Sequence, residues 1–226
     1  MRPVNAHQPP RQRRSALTFQ PLTLDRWGDL EKLFGARGAC GGCWCMSWRL
    51  HRAHYEKQKG ARNKAAFKRI VANGPPPGVL AYAGAQPVGW CALAPREVHA
   101  RLENSRLLAR VDDQAVWSVT CFFVAKPCRR SGVSVELLKA GVDLAMKLGA
   151  RMVEGYPVEP KKNPMPDVFA WTGIASAFRK AGFQEVARRS PMRPVMRFDV
   201  RLVDHSNRSE TGSTFSARRR KRSAFL

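Results

Sequence analysis

The chain has 226 residues, enough to bury a full core as one domain or at most two small ones. Its 40 Lys and Arg against 17 Asp and Glu give a formal charge of +23, which attracts nucleic acid, acidic protein surfaces or anionic headgroups without choosing among them. No run approaches the roughly 18 apolar residues of a membrane helix, and no apolar signal segment follows the basic N-terminus. The expectation is therefore a cytoplasmic protein with no membrane partner, whose six cysteines are reduced thiols.

In chain order, residues 1–15 are rich in Pro, Gln and Arg without apolar periodicity and read as a disordered basic arm. Alternation over Leu17–Leu22 predicts a strand. A short helix follows from about Asp25 to Phe34, with Leu30, Leu33 and Phe34 on its apolar face. After an irregular Gly/Cys/Trp segment, Asn63–Val71 predicts a helix stopped by Asn73-Gly74 and the prolines at 75, 76 and 77. Val79–Ala83 and Val88–Leu93, joined through Gly84-Ala85-Gln86-Pro87, predict a hairpin. The charged piece from Arg96 to Arg110 reads as partly helical.

Ala115–Val124, dense in Val, Trp, Thr, Cys and Phe, is the strongest strand. A helix from Ser134 to Leu148 carries Val135, Leu138, Val142, Ala145 and Leu148 on one stripe and stops at Gly149. Arg151–Tyr156 predicts a strand and Phe169–Ala181 a helix ending at Gly182. Short strands at Val186 and at Val195–Val200 close the fold, and residues 201–226 read as a disordered basic tail. The order implies one α/β domain over 16–200, a mixed sheet with helices on its faces.

The stretch that carries chemistry is Arg129-Arg130-Ser131-Gly132-Val133-Ser134, between the strong strand ending at Val124 and the long helix. Successive backbone N–H groups and a helix N-terminus converge there, Gly132 admits a phosphate closely, and arginines close around its oxygens. Arg129-x-x-Gly132-x-Ser134 resembles the acyl-CoA pyrophosphate loop of the GNAT acetyltransferase superfamily, with Ser in place of the final Gly or Ala. The ending Phe178-Arg179-Lys180-Ala181-Gly182-Phe183 is similar to the family's last strand–helix unit. Gly42-Cys43-Trp44-Cys45-Met46-Ser47-Trp48-Arg49 resembles a segment of a bacterial subgroup. The similarity spans Leu17–Phe198.

The resemblance implies a mostly antiparallel sheet with helices on both faces and one splayed parallel strand pair. It implies acetyl-CoA as acyl donor, its pantetheine held by the backbone around Phe123 and Val124 and its phosphates by Arg129, Arg130, Ser131, Gly132, Val133 and Ser134. An amine, small or macromolecular, attacks directly in a ternary complex, and dimerisation is frequent. Phe178 stands where the family often has a tyrosine acid, and Trp171 where it often has asparagine. Glu154 and Tyr156, on one face by period two, are the residues of suitable catalytic chemistry; the alternative is a sheet carboxylate paired to arginine beside a packed tyrosine.

Cys40, Cys43, Cys45, His51 and His54 leave three readings: a packed reduced loop, a zinc site of atypical spacing, or an acceptor wall in which Trp44, Trp48 and Arg49 take part. Trp90, Trp117 and Phe122 read as core. Against N-acetyl transfer stands a noncatalytic protein of the same fold that holds nucleic acid or an acidic partner on its basic surface.

Overall fold

A computed structural model describes residues 16–160 and 165–200; the predicted arm and tail lie outside the described residues. A seven-stranded sheet runs in the order β1-β2-β3-β4-β5-β7-β6. Its strands are β1 (Leu17–Pro21), β2 (Gly78–Ala83), β3 (Gln86–Pro95), β4 (Trp117–Val124), β5 (Met152–Gly155), β6 (Gln184–Arg188) and β7 (Pro194–Asp199). Every neighbouring pair is antiparallel except β4 and β5. That exception needs a crossover, supplied by helix α5 (Val133–Lys147).

Helices α1 (Trp27–Phe34), α2 (Arg52–Gln58), α3 (Ala61–Asn73) and the single turn α4 (Ala100–Glu103) precede α5, and α6 (Ala175–Lys180) follows. On α5, Val133, Leu137, Leu138, Val142 and Ala145 recur at helical spacing and pack with Val119 and Phe122 of β4. Leu137 and Leu138 are fully buried, each stabilising the fold by about 1.5–3 kcal/mol. The other face carries Trp27, Leu30, Phe34, Trp44, Phe67 and Trp90. The expected core roles of Trp90 and Phe122 hold, both being buried, while Trp117 is half-buried.

Two elements differ from expectation. Arg52–Gln58 is helical although its sequence has no apolar stripe to announce it, and none of its residues is buried. The single helix expected over Phe169–Ala181 is a 3-10 segment, Asp167–Thr172, followed by α6. Between them Gly173 adopts φ +84°, a left-handed conformation that interrupts a helix. Its carbonyl accepts from Val158 N at 2.9 Å, and Ala175 N donates to the Val158 carbonyl at 2.9 Å, so backbone groups a continuous helix needs are spent on a bridge to another segment.

Candidate active site

The β4–β5 ladder is three rungs long: Trp117 opposite Val153, Ser118 opposite Glu154 and Val119 opposite Gly155. Beyond Val119 the strands part, and the Asp167–Thr172 segment packs against β4 instead. The antiparallel register with β3 also shifts there, jumping from Val119–Leu93 to Cys121–Ala92, so Thr120 is the extra residue of a bulge. Bulges re-aim side chains where pairing ends.

The chain leaving β4 builds the predicted basic turn. Phe123 and Val124 pair with Trp90 and Gly89 of β3, and Phe123 packs on the Phe34 ring, 5.4 Å between centroids. Arg130 takes φ +58° and Gly132 φ +91°, turning the chain into α5 at Val133. Ser131 Oγ donates to the Cys128 carbonyl at 2.7 Å, closing the turn from below. The N–H groups of Arg130, Ser131, Gly132, Val133 and Ser134 take no backbone acceptor among the described residues, as expected for a helix start. A Cβ built on Gly132 meets nothing within 4 Å. Donors without acceptors, a positive helix end and open space over the glycine fit a phosphate.

Arg129 is at present engaged within the protein. Its Nε donates to the Val124 carbonyl at 3.0 Å, and its Nη1 meets Asp167 Oδ2 at 2.8 Å. Arg129 and Asp167 are about a third and half exposed, and exposed ion pairs of this kind are worth about 0–1 kcal/mol, so an incoming phosphate can replace the carboxylate.

Glu154 and Tyr156 lie beneath the parting point, both buried. Glu154 Oε1 accepts from Arg96 Nη1 at 2.9 Å and from Tyr156 Oη at 2.7 Å, and Oε2 accepts from Arg197 Nε at 2.7 Å. Arg96 also donates to Tyr156 Oη, to Glu103 and to the Leu108 carbonyl, while Arg197 forks onto Asp112 at 2.6 and 3.0 Å. Tyr156 Oη lies 2.8 Å from Ser118 Oγ on β4. Burial, then the Glu154 charge, pushes the Tyr156 phenol well above its usual range, so it stays protonated. The geometry is that of a charge network clamping β4, β5, β7 and the Arg96–Asp112 segment.

Sequence reasoning missed three residues. Arg96, just after β3, and Arg197, within β7, carry no motif, and a lone arginine at either kind of place reads as solvated. His99 is a lone histidine in a charged segment, yet it is buried, with Nε2 3.5 Å from Thr120 Oγ1 and no hydrogen-bond partner on Nδ1 among the described residues. Burial, then the charges of Arg49 and Arg96, push its pKa down to about 3, against the pull of the Pro95 and Arg96 carbonyls. The folded chain therefore holds this imidazole neutral where the unfolded chain, near 6.5, has protonated it. The unfolded state binds the extra proton, so stability is complete above about pH 6.5 and lost as pH falls toward 3. Urea unfolding between pH 6 and 4.5 should show a loss of roughly 1.4 kcal/mol per unit that a His99→Gln variant lacks.

The cysteine-rich loop divides among its readings. Trp44 is buried between Trp27 and Phe34, and Cys45 Sγ accepts from Trp90 Nε1 at 3.0 Å. All six cysteines are free, and burial pushes the Cys43 and Cys91 thiols up; contact with Cys45 and burial do the same for Cys121. Among the described residues no three His, Cys, Asp or Glu side chains form a group able to hold a metal ion. Trp48 reaches the parting point, its Nε1 donating to the Thr120 carbonyl at 3.1 Å and its ring stacked on Trp171 at 5.6 Å. Among the described residues no helix is long and apolar enough to cross a membrane.

A model of the acetyltransferase (GNAT) family matches residues 44–163. The fold is similar to that of the polyamine N-acetyltransferase of Drosophila melanogaster, at 10% identity and TM-score 0.51, over 82% of this chain and 100% of that one. It is also similar to the paia N-acetyltransferase of Thermoplasma acidophilum solved with coenzyme A, at 14% identity and TM-score 0.46, over 81% of this chain and 99% of that one. A GNAT acetyltransferase of Desulfovibrio desulfuricans gives 14% identity and TM-score 0.46, over 82% and 99%. No curated protein sequence matches the chain significantly. The family match takes in more than half of the 226 residues and runs through the parted strands and the whole basic turn, and on that ground the chain belongs to the acetyltransferase (GNAT) family.

Proposed function

We propose that this protein transfers the acetyl group of acetyl-CoA to a primary amine by direct attack in a ternary complex. The observation that carries the reading is the opening of the β4–β5 pair after Val119 and Gly155, on the strand that feeds the unfilled N–H groups of Arg130–Ser134. Acetyl-CoA supplies the activated acyl thioester. Arg129 and Arg130 neutralise its phosphates, the backbone of Ser131, Gly132, Val133 and Ser134 donates to them, and Phe123 and Val124 flank the pantetheine arm, with the Val124 carbonyl released by Arg129 as that arginine turns to phosphate.

In the transfer a C–N bond forms and the C–S bond breaks; the amine gives up a proton and the sulfur gains one. Placing the two reactants together is worth up to about 7–11 kcal/mol, so the protein's main work is orientation. Glu154 and Tyr156 enter as positioning residues. They lock the middle rung, Ser118 opposite Glu154, one before the last, and thereby set where β4 and β5 separate.

Isothermal titration of the purified chain with acetyl-CoA, with CoA and ATP as controls at moderate salt, tests the reading. Saturable one-to-one binding of acetyl-CoA is the expected result. Binding no stronger than that of ATP, together with steeply salt-dependent nucleic-acid binding, would replace this reading with the noncatalytic one.

A further inference from the structure

Many arginines of this protein, buried and exposed alike, have a carboxylate partner: Arg26, Arg96, Arg110, Arg129, Arg179, Arg188 and Arg197 each meet an Asp or Glu. Arg49 and Arg193 differ. Both are half-buried, and burial pushes both guanidinium groups down from their ordinary range. Neither forms an ion pair with an Asp or Glu among the described residues. A guanidinium that gives up part of its water with no anion to replace it is disfavoured in its charged form.

The two arginines flank the same place. Arg49 follows Trp48, whose indole donates to Thr120 at the β4 bulge, and its charge bears on His99 on the other side of Thr120. Arg193 Nη1 donates to Thr172 Oγ1 at 3.0 Å, one residue from Trp171, which stacks on Trp48. A third cation, Arg101, lies 5.6 Å over the Trp48 ring, with Nη1 3.3 Å from Ser47 Oγ. Aromatic walls, a neutral buried imidazole and unpaired guanidinium groups therefore surround the point where the central strands part.

We infer that the acceptor amine of this enzyme carries an anionic group, a carboxylate or a phosphate, and that Arg49 and Arg193 bind it. The inference rests on the acetyl-transfer reading and narrows its acceptor class. Arginine forks match both anions bidentately, and an anion seated there completes pairs that the folded chain leaves open. Arg101 adds charge at the rim, where it steers more than it binds.

The test uses the full chain saturated with acetyl-CoA, so that the cofactor loop is filled and its occupancy confirmed first. Inorganic phosphate and, separately, acetate are titrated at constant ionic strength and followed by the shift in melting temperature. Wild type should show a saturable shift with at least one of the two anions, weakened at least tenfold in an Arg49→Met/Arg193→Met variant whose acetyl-CoA affinity is retained. Matched amines then separate the sources, assayed by mass of the acetylated product: lysine against 1,5-diaminopentane, and ethanolamine phosphate against ethanolamine. The anionic member of at least one pair should have at least a tenfold higher kcat/KM, lost in the variant. Equal anion response in wild type and variant, or neutral amines accepted as well as anionic ones, would overturn the inference while leaving acetyl transfer in place. Absence of acetyl-CoA binding would remove both.

Discussion

A Gly132→Trp variant should fold and lose acetyl-CoA binding, with titration heats falling to the level of the ATP control. Gly132 precedes α5 at φ +91°, in the left-handed region where a side chain costs about 1–2 kcal/mol. That strain alone should not unfold the domain, because a Cβ at this position meets nothing within 4 Å. The same open space is where a phosphate must approach the N–H groups of Arg130–Ser134, and an indole fills it. Gly132→Ala separates the two effects, since it has the same backbone strain with almost no bulk. Its circular dichroism melt should match that of the Trp variant within a few degrees, while its acetyl-CoA affinity falls far less. A folded Gly132→Trp protein with wild-type affinity would move the phosphate site away from the α5 terminus.

The largest effect on stability is expected at Glu154. This carboxylate is 1% exposed and takes ion pairs from Arg96, also 1% exposed, and Arg197, 8% exposed. Removing one partner of a buried pair typically costs about 3–5 kcal/mol, because the remaining charge stays buried without compensation. Glu154→Gln should therefore lower the melting temperature by roughly 6–20 °C for a domain of this size. Arg179→Gln provides the contrast. It breaks ion pairs to Glu159 and Glu185, but with Arg179 47% exposed, and it should cost no more than about 1 kcal/mol. Similar melting shifts in the two variants would contradict the clamp assigned to Glu154. A pH–rate profile of Glu154→Gln measured below its melting point adds a second readout. A positioning role leaves the profile's limbs where they are, and a base exposed to substrate does not.

The basic turn before α5 was legible because its physics is local. A β-rich strand, a basic small-residue turn and an amphipathic stripe lie within one stretch, and the observed α5, Val133–Lys147, begins and ends within a residue of the sequence expectation. The hairpin of β2 and β3 and the strands β1, β4 and β7 were legible for the same reason: alternation and turn residues set them without distant help. The break at Gly173 was not, since the apolar pattern runs through it and only the bridge to Val158 makes a continuous helix the poorer arrangement. Helix α2 has no buried face, so periodicity had nothing to report.

The sequence by itself determined that this protein has a mixed sheet with helices on its faces and a basic, glycine-containing turn after its central strand, because hydrophobic period, glycine placement and charge act over a few residues. Only the tertiary structure decided which arginines are spent. Arg96 and Arg197 close on Glu154 from 58 and 43 residues away, whereas Arg49 and Arg193 form no ion pair with an Asp or Glu among the described residues. Pairing depends on distances between segments remote in the chain, and no local pattern encodes those.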